Sequence, residues 1–244
     1  MSVRSTSQTP TSSTEPAAIR ILWSDEFVVA ALKPSGLPVQ PDPTGDPDLL
    51  SLLRDQLREP ALQLVHRLDR PVSGVVLFGR TPQATEGLNH QFRQRSVRKV
   101  YRAIVEGRVD EPGELHGVLR HDPRRRRSNV STDPDRGTAG MLRVRPLHLG
   151  ERYTLLEVEP DGGAFHQIRA QLSAAGWPIK GDVKYGARRG EKDRSIHLHA
   201  CAITFVHPVT GVSMTVDAPV PASGSWQVLA RTGGSGQNDR GLAM

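Results

Sequence analysis

The sequence predicts an α+β fold: a mixed, mostly antiparallel β-sheet core flanked by helices and loops. Three observations point there. Stretches with strand character clearly outnumber helical ones. Helical stretches do not alternate with strands in the regular βαβ order that a parallel sheet requires. There is no internal repeat, and turn residues break the chain at short intervals rather than at one long linker.

The elements follow in order. Residues 1–17 are polar, small and Pro-containing, and are expected to be disordered. Residues 19–23 and 27–32 read as strands across a Ser24-Asp25-Glu26 turn. Lys33-Pro34-Ser35-Gly36 ends the second, because Pro cannot continue a ladder. Residues 48–57 place Leu49, Leu50, Leu53 and Leu57 at helical spacing. Val75-Val76-Leu77-Phe78 is the continuous apolar run of a strand covered on both faces. Residues 81–94 read as a helix with Thr81 as cap and Pro82 in the first turn. Residues 99–105 alternate as a strand, with Tyr101, Ala103 and Val105 on one face.

Residues 113–160 are expected to hold several shorter strands, 153–158 the clearest. Residues 165–175 suggest a helix with Ile168, Leu172 and Ala175 on one side, ending at Gly176. Residues 196–206 and 212–218 read as strands joined by a turn from His207 to Gly211. A single domain over 18–230 and a flexible tail over 231–244 complete the reading.

Lys and Arg number 32 against 26 Asp and Glu, and the pI is about 10.0. A basic chain of this size points to a polyanion, most simply nucleic acid. The lone cysteine, Cys201, excludes an intramolecular disulfide and a cysteine-based zinc site, and its apolar surroundings suggest a buried structural thiol. No apolar run approaches the roughly 18 residues that span a bilayer. The first residues lack the apolar centre of a secretory signal, so a reducing, cytoplasmic setting is expected.

His66-Arg67-Leu68-Asp69-Arg70-Pro71-Val72-Ser73-Gly74 carries the strongest chemical suggestion. One carboxylate, Asp69, sits between two arginines on a turn that enters a buried strand. Arg67 and Arg70 are expected to hold it ionised, which suits a nucleophile or a base. In the second constellation, Gly162-Gly163 precede His166, Gln167, Ile168 and Arg169 at a helix start, where exposed N–H groups favour anions. From there Arg169 could pair with Asp69. In the third, Lys99-Val100-Tyr101-Arg102-Ala103, the Tyr101 ring would either fill core or stack on a base. Arg124, Arg125, Arg126 and Arg127 lie together in a turn-rich stretch without an apolar anchor, where they repel one another unless anions arrive. His197 and His199 are two apart on a strand, but no third ligand stands near them, so no metal site is expected.

Together these segments resemble the RluA family of pseudouridine synthases. The family's H-R-L-D-x-x-T-S-G appears at 66–74 with Val72 in place of Thr. Its Lys/Arg-x-Tyr-x-Ala matches Lys99, Tyr101 and Ala103, and its G-R-x-H-Q-I-R matches Gly163, His166, Gln167, Ile168 and Arg169. The G-D-x-x-Y-G match is Gly181, Asp182, Tyr185 and Gly186; the L-H-A match is 198–200; the H-P-x-T-G match is 207–211. K-P-x-G-L matches Lys33, Pro34, Gly36 and Leu37. Ala164 stands where the family usually has Arg, which removes one phosphate-binding candidate.

The resemblance implies the pseudouridine synthase catalytic-domain fold, in the form without an N-terminal S4 RNA-binding domain. It implies isomerisation of uridine in ribosomal or transfer RNA, with Asp69 as essential carboxylate and the target nucleotide extruded from its stack. Three routes stay open for Asp69: attack on C1′, attack on the base ring, or removal of a sugar proton. Arg169 would neutralise Asp69, Tyr101 would stack on the uracil and assist at C5, and Leu198 would pack on the base. Arg67 would hold the RNA open, with His66, His166, Gln167 and Lys99 also among the substrate-binding residues. No cofactor, metal or obligate protein partner is implied, and a monomer is expected. The alternatives are an inactive RNA-binding or ribosome-assembly protein on the same fold and, more distantly, a nucleoside hydrolase.

Overall fold

A computed structural model describes residues 18–227 except 134, 136 and 223. The tails expected to be loose, 1–17 and 231–244, lie outside the described residues. The described strands are β1 (Ile21–Ser24), β2 (Val28–Lys33), β3 (Gln63–Leu64), β4 (Ser73–Gly79), β5 (Arg98–Glu106), β6 (Gly113–Asp122), β7 (Arg127–Ser131), β8 (Thr138–Leu149), β9 (Tyr153–Pro160), β10 (Leu198–Val206) and β11 (Ser213–Asp217). With them, among the described residues, stand α1 (Leu49–Leu57), α2 (Pro82–Arg93) and α3 (Gln167–Ala174).

The strands form one mixed sheet in the order β1-β2-β4-β10-β5-β9-β8-β6-β7, with β11 paired to β10 and β3 to β4. Only β4 and β10 pair in parallel among the described strands; the remaining pairings are antiparallel. This is the α+β architecture that the sequence predicts. No described helix is long and apolar enough to cross a membrane.

Local rules account for the helices. Asp48 caps α1 by accepting from the Ser51 N–H, and Thr81 caps α2 by accepting from the Ala84 N–H. Strand β4 is buried along its whole length between β2 and β10, which explains its unbroken apolar run.

The parallel contact is close. Gly74 (φ +130°) lies opposite Ala200, and a Cβ there would fall 2.3 Å from the Ala200 carbonyl oxygen. Across the next ladder Ala200 pairs with Tyr101. Leu198, two residues before Ala200, therefore shares a face with Tyr101.

Three expectations need correction. The 113–160 region holds long strands rather than several short ones: β6 has 10 residues and β8 has 12. Pro146 masked β8 in the sequence, and a register shift between Pro146 and His148 accommodates it. The third helix begins two residues later than the spacing suggests, because His166 takes a left-handed conformation (φ +55°). Cys201 is half-buried rather than buried, at a register shift where its Sγ meets the Val100 carbonyl.

Candidate active site

Asp69 lies in the loop before β4, where its carbonyl accepts from the Val72 N–H at 3.0 Å. Its partner comes from α3, 100 residues later: Arg169 Nη1 donates to Oδ2 at 3.0 Å. His166 Nε2 stands 3.5 Å from the same oxygen. Both contacts use Oδ2, and no described residue hydrogen-bonds Oδ1.

Arg169 is itself clamped. Its Nε and Nη2 donate to Asp182 at 2.7 and 2.9 Å, a bidentate pair. The Arg169 and Asp182 side chains are 5% and 2% exposed, against 18% for Asp69. Of the two carboxylates on Arg169, Asp69 is therefore the one that reaches open space. Burial disfavours the charge on Arg169, but Asp182 and Asp69 outweigh it and hold its pKa above the ordinary value.

The expected neighbours of Asp69 divide. Arg70 turns away: its guanidinium binds the Gly36 carbonyl, Thr44 and Asp46. Consecutive loop side chains diverge, so adjacency in sequence misplaced its charge. Arg67 is exposed and lines both cavities that flank Asp69.

The first cavity, of about 550 Å³, is lined by Tyr101, Leu198, Val72, Ala164, His66 and Lys99 among others. Burial and the charge on Asp69 push the Tyr101 phenol above its ordinary pKa. His66 faces the cavity, but its Nε2 accepts from the Leu77 N–H at 2.9 Å and its ring stacks on Phe92. Burial and Lys99 push His66 down to about 3. Lys99 ties its ammonium to the Gly162 carbonyl, and burial lowers its pKa. Gln167 is buried, bonding Ala164 N and the Met141 carbonyl. His66, Lys99 and Gln167 thus brace the walls of the cavity.

The second cavity, of about 560 Å³, also reaches Asp69. Arg67, Arg124, Arg125, Arg126 and Lys184 line it opposite residues 38–43. Arg124, Arg125 and Arg126 are exposed at the β6–β7 turn. Arg127 belongs to β7 instead; its guanidinium lies 5.1 Å from the Tyr185 ring centre, and its buried Nε has no hydrogen-bond partner.

Sequence reasoning assigned no role to several residues that matter here. Lys33 is fully buried and donates to the carbonyls of Pro34, Leu37 and Arg70. Burial pushes it down to about 7 against the pull of Asp69. Asp182, Tyr185 and Lys33 all lie in motifs that the sequence displays, which was the available signal. His197 and His199 both contact the Trp226 ring, and His199 Nδ1 bonds Ser73 Oγ at 2.8 Å, so they anchor the sheet end.

The site thus joins an open-sided carboxylate, held by a clamped arginine, to an aromatic and aliphatic slot and a basic rim. Residues 27–174 match the RNA pseudouridylate synthase family, and the chain belongs to that family. A relative from Chloroflexus aurantiacus, described as an uncharacterized RNA pseudouridine synthase, is 38% identical over 78% of this chain and 62% of its own length. Ribosomal large subunit pseudouridine synthase D of Neisseria meningitidis is 30% identical over 85% of this chain and 59% of its own. The chain thus spans about three fifths of these two relatives. tRNA pseudouridine synthase C of Vibrio parahaemolyticus is 28% identical over 88% of this chain and 94% of its own. The solved structure of human RNA Pseudouridylate Synthase Domain Containing 1 superposes with a TM-score of 0.72 at 20% identity, over 93% of this chain and 100% of that one, and shows the same fold.

Proposed function

We propose that this protein isomerises uridine in structured RNA, ribosomal or transfer, to pseudouridine, with Asp69 as the essential carboxylate. The observation that carries the reading is the Asp69–Arg169–Asp182 chain: one carboxylate locks the arginine, and the arginine holds the other by a single oxygen at the open site.

The bookkeeping of the reaction is simple. The N1–C1′ bond breaks, a C5–C1′ bond forms, the C5 proton leaves and N1 gains one, with no change in mass. No redox cofactor is called for. Asp69 Oδ1 is the atom we assign to the reacting centre, whichever of C1′, the ring or the sugar proton it meets. Arg169 pairs with the carboxylate and orients it in a partly desolvated site, where an unpaired charge is costly. Tyr101 and Leu198, on one sheet face, hold the extruded uracil. A Tyr101 held as neutral phenol suits stacking and relay of the C5 proton rather than storage of a phenolate. Arg67, Arg124, Arg125, Arg126 and Lys184 take the phosphates beside it. His66, Gln167 and Lys99 act on substrate through the walls they support. We place the protein in the cytoplasm as a monomer whose partner is RNA.

Pseudouridine mapping by carbodiimide labelling tests this. RNA would be compared from cells with the gene, without it, and complemented by wild type or Asp69→Asn. A site lost on deletion and restored by wild type alone is the expected result, with Asp69→Asn folded and binding RNA nearly as wild type does. Restoration by Asp69→Asn would sink the assignment. Absence of any lost site would favour an RNA-binding protein, and release of free uracil would favour a hydrolase.

A further inference from the structure

We propose that His166 and Tyr185 are positioning residues: a neutral imidazole carrying its proton on Nδ1 fixes Arg169, and the Tyr185 hydroxyl ties that imidazole to the arginine hairpin.

Donor and acceptor accounting fixes the tautomer. Arg169 Nη1 lies 3.1 Å from His166 Nε2. A guanidinium only donates, so Nε2 must accept. A neutral ring then carries its hydrogen on Nδ1, which donates to the Tyr185 hydroxyl at 2.9 Å. Arg169 Nη1 thereby spends one hydrogen on Asp69 and the other on His166. Without His166 that second hydrogen has no acceptor, and the guanidinium can tilt about its Asp182 clamp. Burial, with Arg169, Lys184 and Arg67, pushes His166 down to about 2, so the ring stays neutral and keeps its acceptor.

The same network reaches the hairpin. Tyr185 Oη also accepts from the Ser128 N–H at 2.8 Å, one residue past the arginine run. Ser128 Oγ donates to the Phe165 carbonyl, and the Phe165 ring stacks on His166 at 3.8 Å. Lys184 Nζ donates to the Arg126 carbonyl. Arg127 and Arg169 both lie against the Tyr185 ring, at 5.1 and 4.9 Å. The segment that would grip phosphate is thus bolted to the group that aims Asp69.

The inference rests on the proposed activity for its kinetic consequence, but not for its geometry. Ring 15N NMR on the full chain should show His166 as the neutral Nδ1–H tautomer. An Nε2–H tautomer in wild type would overturn the proposal whatever the protein catalyses. In single-turnover isomerisation, Tyr185→Phe keeps the ring and both cation contacts, so it should fold. It and His166→Ala should slow the chemical step by ~10–100-fold, as small misplacements do. RNA Kd should stay within about twofold of wild type. His166→Gln, whose amide oxygen reaches the Nε2 position, should recover part of the rate. Wild-type rates in Tyr185→Phe and His166→Ala, or loss in affinity alone, would overturn the proposal. A wild type inactive on every RNA would instead sink the activity reading, and the tautomer would still decide the network.

Discussion

Lys33 shows how much a single buried residue can carry without touching the chemistry. Its ammonium gathers three carbonyls, from Pro34, Leu37 and Arg70, and so holds the end of β2 against the loop that bears Asp69. Lys33→Met keeps the volume but leaves those acceptors unsatisfied in a dry site. Each orphaned acceptor costs ~1–3 kcal/mol, partly recovered because a buried charge is also removed. We expect a net loss of about 2–4 kcal/mol, read as a lower urea midpoint at unchanged m. Unchanged stability would show that the carbonyls find other donors. The sequence displayed Lys33 in a motif, but a lysine in a turn ordinarily points to water; only the three convergent carbonyls reveal its role. Arg70 is the opposite case. It stands beside Asp69 in the chain, yet its side chain serves Gly36, Thr44 and Asp46.

At the scale of elements, the β6–β7 hairpin separates by side chain. Arg124, Arg125 and Arg126 are exposed around the second cavity, whereas Arg127 is drawn inward over Tyr185. Changing the first three to Ser should weaken RNA binding and make log Kd less dependent on log salt. Each lost phosphate contact lowers that slope by roughly 0.7–0.9, so a change of about 2–3 is expected. Titrations at several salt concentrations measure it, and an unchanged slope would take the hairpin out of the RNA interface. Periodicity could find the hairpin's arginines but not its strands. Pro146 and scattered charges hid β8, whose register shift is visible only against β9. Likewise the start of α3 depends on the left-handed His166, a conformation that its bonds to Tyr185 and Arg169 sustain.

For the whole molecule, three histidines give acid sensitivity a definite sign. His66, His166 and His199 are pushed down from 6.5 to about 3, about 2 and about 4, in each case chiefly by burial. Below pH 6.5 the unfolded chain binds protons that the folded chain refuses. Stability therefore falls as pH drops from 6.5 towards 4, by up to ~1.4 kcal/mol per pH unit for each ring. Thermal unfolding between pH 7.5 and 5 should show a falling Tm. A flat profile would mean that these rings titrate normally in the folded protein.

The sequence by itself determined the class of fold and the family. Those depend on local patterns: alternation, caps, a covered strand and motifs in order. Tertiary structure alone decided that Arg70 turns away from Asp69 and that Arg127 lies over Tyr185. It also decided that Asp182 and Tyr185 stand behind Arg169. The reason is distance along the chain: the Ser128–Tyr185 bond, for one, closes 57 residues. Contacts of that span are set by how β4, β5 and β10 stack beside α3, and no local pattern encodes them.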